Sequence, residues 1–185
     1  LLDGACRIKG LAARAAELGQ KAVAITDHGV MYGVINFYKE CKSRGIKPII
    51  GCEVYVAANS RFDREYGKDS SGYHLILLCK DNTGYKNLCK LVSLAFIEGF
   101  YVKPRIDMDL LRENSEGLIA LSACLAGKIP SLLLEGRYDD AKREALEMRE
   151  IFGEDSYYLE LQDHGIDEQK AVNRDLMRLS RETGI

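Results

Sequence analysis

Metal-binding side chains follow two short apolar runs in the first third of the chain. Asp27 and His28 come just after the run at 22–25, and Glu53 comes shortly after the run at 48–50. An amphipathic helix is predicted between the runs, so the stretch 21–55 is typical of a βαβ unit. The carboxyl ends of parallel strands face one side, where such folds place their ligand sites. We therefore expect the three side chains to converge.

Later residues extend the pattern. Cys124 follows a predicted strand at 117–121, and His164 follows another at 156–161, whereas His74 lies near the start of a strand at 73–79. Imidazole, carboxylate and thiolate groups in one cup would suit zinc or another divalent transition metal. Such a metal activates water and stabilises charge on a phosphoryl or carbonyl oxygen. The pattern predicts a hydrolase-like metal site.

Other interpretations of these residues remain open from pattern alone. His28 could cap a turn, although Asp27 could instead orient it as a ligand from the same turn. His74 could be a hydrogen-bonded core histidine, and an isolated cysteine such as Cys124 is more often a small buried residue. His164 could cap the helix predicted at 167–183.

The elements that must position these side chains alternate along the chain. Helices are predicted at 7–18, 31–44, 82–98, 106–113, 126–134, 138–152 and 167–183, and strands at 21–26, 47–57, 73–79, 117–121 and 156–161, with Asp167 as a cap and an exposed loop at 59–72. This alternation predicts an α/β fold with a parallel sheet covered by helices. Five strands would not close a barrel.

Composition narrows the function classes. The 185 residues carry a net charge of −2 and are 46% apolar, with acidic and basic residues interleaved, so no basic footprint for a nucleic acid is apparent. The six cysteines form no CxxC pair, which fits a reduced cytosolic compartment. No apolar run approaches the length of a membrane span.

Several motifs together resemble one family. They are TDHG (26–29), GIKPIIGCEVY (45–55), YHLILL (73–78), GFYVKPRID (99–107), LSACLAG (121–127) and LELQDHGIDEQ (159–169). The chain resembles the PHP (polymerase and histidinol phosphatase) domain at the amino terminus of the bacterial replicative DNA polymerase III alpha subunit. TDHG is shared by many PHP proteins, while the GFYVKPRID and LELQDHG segments are more specific to the polymerase branch.

The resemblance implies a distorted (β/α)7 barrel with metal ions at the carboxyl ends of its strands. It makes His28, Glu53, His74 and Cys124 the expected ligands and Asp27 and Glu53 the expected catalytic residues. His164, Lys103 and Arg105 are expected as supporting residues at the rim. The family's His-x-His and Asp-x-His motifs would lie outside 1–185, so we expect one PHP domain lacking its first and last strands, with an open barrel.

The resemblance also implies a function and partners. The polymerising carboxylates would lie in another domain, and the PHP domain would act as a metal-dependent 3′–5′ exonuclease. The alternatives are a structural and interaction module with a vestigial metal site, or a free-standing phosphatase. Expected partners are DNA, mainly through other domains, a proofreading exonuclease subunit and a sliding clamp, in the bacterial cytoplasm. The metal would be zinc or, alternatively, manganese.

Overall fold

The computed structural model describes residues 4–65 and 72–185, which contain seven helices and six strands. The helices are α1 (Ile8–Glu17), α2 (Val34–Ser43), α3 (Asn82–Ile97), α4 (Met108–Glu113), α5 (Lys128–Leu134), α6 (Tyr138–Phe152) and α7 (Asp167–Thr183). The strands are β1 (Ala22–Ile25), β2 (Lys47–Val56), β3 (Tyr73–Cys79), β4 (Arg105–Ile106), β5 (Leu118–Leu121) and β6 (Tyr157–Tyr158).

The strands form one sheet in the order β1-β2-β3-β5-β6, with β4 paired to β2. Among the residues described, β1 and β6 are the outer strands of this order, so the sheet is open, as expected for an incomplete barrel. Strand β2 is the longest strand, and it pairs with three others. Its first residues pair with β1, its last two with β4, and its carboxyl half with β3.

The prediction of an all-parallel sheet is wrong for β3. This strand runs antiparallel to both of its neighbours, β2 and β5, while the β1–β2, β2–β4 and β5–β6 pairs are parallel. A parallel pair needs a long crossover, usually a helix. No helix occurs in the described part of the connection between β2 and β3, at 57–65 and residue 72. Strand β3 therefore begins where β2 ends.

Other sequence expectations need smaller corrections. The segment predicted as irregular at 100–105 ends in the two-residue strand β4, and the strand predicted at 156–161 is reduced to Tyr157–Tyr158. Ile166, not Asp167, is the cap of α7, and the Asp167 carboxylate pairs with Lys170 at 2.9 Å. Of the predicted loop at 59–72, residues 66–71 lie outside the described part.

The helix boundaries follow local chemistry. The Asp81 carboxylate accepts a hydrogen bond from Gly84 N at the start of α3, and Asp107 does the same for Leu110 N at α4. Each bond satisfies a backbone N–H that has no partner within its own helix. The main core lies between β2, β3, β5 and the helices α3 to α7, and a second cluster joins α1 and α2 to β1. This packing holds the carboxyl end of β2 in place.

Candidate metal centre

Three ligand atoms from three elements converge at the carboxyl end of β2. Glu53 Oε1 lies 3.1 Å from His28 Nδ1 and 2.6 Å from His74 Nδ1. The three residues offer ligand atoms that all lie within 4.8 Å of one another, a geometry that could hold a metal ion. His28 follows β1, Glu53 belongs to β2, and His74 is the second residue of β3.

The turn that carries His28 is bonded directly to β2. Gly29 N donates to Glu53 O at 2.8 Å, and Glu53 N donates to Asp27 O at 3.0 Å. Gly29 has a φ of +69°, and a side chain there would meet Pro104 Cγ at 2.9 Å. Only glycine adopts this conformation without strain and leaves room for its neighbours. The TDHG motif therefore fixes His28 beside Glu53 through its backbone.

His74 reaches the site because β3 runs antiparallel to β2. In the ladder His74 pairs with Tyr55, and Glu53 pairs with Ile76, so Glu53 and His74 point to the same face. The Tyr55 ring meets the His74 imidazole edge to face, with centroids 5.1 Å apart. Sequence reasoning did not single out Tyr55, although its position two residues after Glu53 on an alternating strand was the available signal.

Cys124 lies beside the group and contacts it through His74. Its Sγ lies 3.5 Å from His74 Nδ1, and the loop that carries it accepts a hydrogen bond from His74 N at Ala126 O, at 3.0 Å. The contacts with the Cys124 thiol and the Glu53 carboxylate raise the pKa of His74 to about 9. The same hydrogen bond with His74 lowers the pKa of Cys124. In the metal-free protein each of the two groups therefore favours the charged form of the other.

The donor set fits a bound cation. Glu53 Oε1 is buried and accepts no hydrogen bond of regular geometry from the described residues, although two imidazole nitrogens lie beside it. A buried carboxylate needs a positive partner, and a cation shared with the two imidazoles would supply it once the proton of His74 is displaced. Two imidazoles, a carboxylate and a nearby thiol are ligands of the kind that zinc and related metals use.

Two predicted site residues lie outside the ligand group. The Asp27 carboxylate is near the start of α2, where a side chain at Gly33 would meet its Oδ2 at 3.4 Å. Asp27 contributes to the site through its carbonyl, which accepts from Glu53 N. His164 is exposed, and its Nδ1 lies 3.0 Å from Nε2 of the buried Gln169. It lies three residues before the start of α7.

The two predicted basic rim residues differ in their surroundings. Lys103 is exposed, and its Nζ lies 5.1 Å from the centre of the Tyr55 ring. The Tyr55 ring in turn contacts His74. Arg105 is fully buried and donates to three backbone carbonyls, those of Arg61, Asp63 and Gly99. These bonds fasten the loop at 59–65 to the end of α3. Arg105 is therefore a structural residue, and the structure does not bring it to the ligand group.

Sheet, helices and ligand group together define an α/β domain of the barrel type with a candidate metal centre. The chain belongs to the PHP domain family, whose profile matches residues 1–164. It is 53% identical over 186 residues to the DNA polymerase III subunit alpha of Treponema pallidum, and 49% identical over 189 residues to that of Thermus aquaticus. Both alignments cover 100% of this chain but only 16% and 15% of those relatives.

The similarity to one solved structure carries no argument about function. An amidohydrolase from Chromobacterium violaceum is 17% identical, with a TM-score of 0.36, covering 99% of this chain and 47% of that one. Within residues 4–65 and 72–185, the helices lack the combination of length and apolar character needed to cross a bilayer.

Proposed function

We propose that this chain is the PHP domain of a bacterial replicative DNA polymerase alpha subunit and that it removes nucleotides from DNA 3′ ends in a metal-dependent reaction. The observation that carries the proposal is the convergence of His28, Glu53 and His74 on one point, with Cys124 beside them. About half of the residues are identical to those of named alpha subunits, which supports the polymerase context.

His28, Glu53, His74 and Cys124 would hold the metal. Because the set combines two imidazoles with a thiol, we propose zinc, with manganese as the alternative. The bound metal would supply a Lewis acid that activates water and neutralises charge on a phosphodiester. We assign the catalytic role to Glu53, because its Oε1 is the buried carboxylate oxygen of the group.

The surrounding residues suggest how a DNA end would be received. His28 is the most open member of the group, with 40% of its side chain exposed, against 14% for Glu53. Lys103 lies exposed near Tyr55 on the same side. A phosphate approaching the open side would meet the ammonium group of Lys103 and then the ligand group. We therefore assign Lys103, rather than Arg105, to substrate positioning.

A structural role for the metal is the second candidate. The ligand group joins the turn after β1, the end of β2 and the start of β3, so a bound ion would cross-link three elements even without turnover. A free-standing phosphatase is a weaker alternative, because relatives of high identity are about six times longer than this chain.

The wider setting is part of the same proposal. DNA would bind mainly through other domains of the subunit, in keeping with the net charge of −2 of this chain. The other proposed partners are a proofreading exonuclease subunit and a sliding clamp, and the compartment is the bacterial cytoplasm.

The test compares Glu53→Gln with Glu113→Gln in the complete polypeptide. Glu113 is exposed at the end of α4, so its variant is a control for the change of charge alone. Bound metal is quantified, and nucleotide release from the 3′ end of single-stranded DNA is measured beside polymerisation.

If wild type and Glu113→Gln release nucleotides while Glu53→Gln does not, and all three polymerise, the exonuclease proposal stands. If none of the three degrades DNA but Glu53→Gln alone loses metal and melts earlier, the metal is structural. The exonuclease proposal would then be wrong.

A further inference from the structure

The Cys52 thiol contacts both ends of the turn that carries His28. Cys52 precedes Glu53 in β2, its side chain is fully buried, and it points to the opposite face of the strand. Its Sγ lies 3.3 Å from Asp27 O and 3.5 Å from Val30 O. These two carbonyls flank His28 and Gly29, so one side chain bridges the turn.

Two backbone hydrogen bonds join this turn to β2. Glu53 N bonds to Asp27 O and Gly29 N bonds to Glu53 O, which fix the beginning and the middle. The thiol adds the contact at Val30, where the chain leaves the turn toward α2. A change at Cys52 would therefore release the side of the turn that follows His28, while leaving β2 paired with β3 through Leu77.

We infer that Cys52 is a positioning residue for the metal centre, one that sets His28 against Glu53 without being a ligand. The inference rests on the proposed function, since it assigns Cys52 to the metal site of that function. Groups that orient a metal ligand from behind typically change metal affinity by about 10- to 100-fold when they are removed. Cys52 would act on the backbone of the His28 turn in this way.

The competing explanation is that Cys52 only fills space in the core. The two explanations predict opposite orders for two substitutions. Valine fills the space with an apolar side chain but donates no hydrogen bond, whereas serine keeps a donor and is the poorer core residue. If Cys52 only fills space, Cys52→Val should preserve metal binding better than Cys52→Ser. If Cys52 positions the turn as a donor, Cys52→Ser should preserve it better.

Cys41 provides a matched control. It is fully buried in the cluster of α1, α2 and β1, and no hydrogen bond of its thiol occurs in the described part of the chain. Substitutions at Cys41 test the general effect of replacing a buried cysteine with valine or serine, away from the His28 turn.

The experiment measures the dissociation constants of zinc and of manganese by chelator competition, in the complete polypeptide. The variants are Cys52→Val, Cys52→Ser, Cys41→Val, Cys41→Ser and Glu53→Gln. The thermal midpoint of each metal-free protein is recorded separately. We expect Cys52→Val to weaken metal binding by about 10-fold or more, Cys52→Ser to recover most of that loss despite a lower midpoint, and both Cys41 variants to bind as wild type does.

Two other outcomes would overturn the positioning role alone, and a third would overturn the proposed function as well. If wild type binds metal, Glu53→Gln does not, and Cys52→Val binds as tightly as wild type, the positioning role is wrong and the metal site stands. The same conclusion follows if Cys52→Ser binds more weakly than Cys52→Val. If wild type binds neither metal, the proposed function and this inference both fall.

Discussion

Glu53 and His74 are diagonal neighbours on one face of the β2–β3 ladder, and Glu53 Oε1 lies 2.6 Å from His74 Nδ1. The contact exists because β3 starts where β2 ends. The same ring nitrogen also lies 3.5 Å from the Cys124 Sγ, so His74 contacts both the carboxylate and the thiol. The acid–base behaviour of the site therefore centres on His74.

Metal affinity should depend on pH through His74. In the metal-free protein the pKa of His74 is raised to about 9, first by the hydrogen bond with Cys124 and then by Glu53. A protonated imidazole cannot ligate, so a metal must displace this proton. We expect the apparent affinity to fall about tenfold for each pH unit below 9. Titrations at fixed zinc buffering between pH 6.5 and 9.5 would measure it.

A His164→Asn variant should follow the same pH curve, because His164 lies outside the ligand group. An affinity that stays constant between pH 7 and 9 would contradict the role of His74 as a ligand.

Replacement of His74 should lower the reactivity of the Cys124 thiol more than that of the other thiols. The hydrogen bond with His74 is the main cause of its lowered pKa, so His74→Asn raises that pKa and reduces the thiolate fraction at pH 7.5. We expect iodoacetamide to alkylate Cys124 several-fold more slowly in the metal-free variant. Peptide mass analysis resolves the sites, and the exposed Cys6 serves as an internal reference whose rate should not change. Equal rates at Cys124 in both proteins would disprove the coupling.

Arg105 should matter for stability and not for metal binding. Arg105→Leu removes a buried guanidinium that donates to three carbonyls, which leaves those acceptors without this partner. We expect a loss of about 2–4 kcal/mol in unfolding free energy. Arg105→Lys should restore little, because an ammonium cannot reproduce the planar fork.

Lys103→Met is the matched control, since it removes an exposed cation two residues away. It should cost less than about 1 kcal/mol. Denaturant unfolding and zinc titration of all three variants provide the comparison. A large drop in zinc affinity for Arg105→Leu would show that Arg105 contributes to the metal site.

Two helical glycines should respond in opposite directions to alanine. A side chain at Gly84, in the first turn of α3, would lie 1.9 Å from Gly117 O, whereas a side chain at Gly10, in α1, meets nothing within 4 Å. Gly84→Ala must displace backbone, and we expect it to destabilise by about 1–3 kcal/mol or more. Gly10→Ala should stabilise by about 0.5–1 kcal/mol. Thermal midpoints check both signs, and a tolerated Gly84→Ala would refute the close approach of α3 to the start of β5.

Local periodicity by itself determined most of the elements. The strand predicted at 73–79 and the helices predicted at 138–152 and 167–183 have the bounds that the structure shows. The apolar runs before Asp27 and Glu53 also predicted β1 and β2 as neighbours, since a helix between them permits a parallel pair. Such signals depend on residues close together in the chain, which is why the sequence carries them.

The direction of β3 and the burial of Arg105 were decided only by the tertiary structure. His74 lies at the start of its strand, and an all-parallel sheet would place it at the end away from Glu53. The antiparallel course of β3 brings the two together. Arg105, in the KPR segment, resembles a rim cation in sequence, yet the loop at 59–65 folds over it and supplies carbonyl acceptors. Both outcomes depend on pairing between segments far apart in the chain, which a local pattern does not encode.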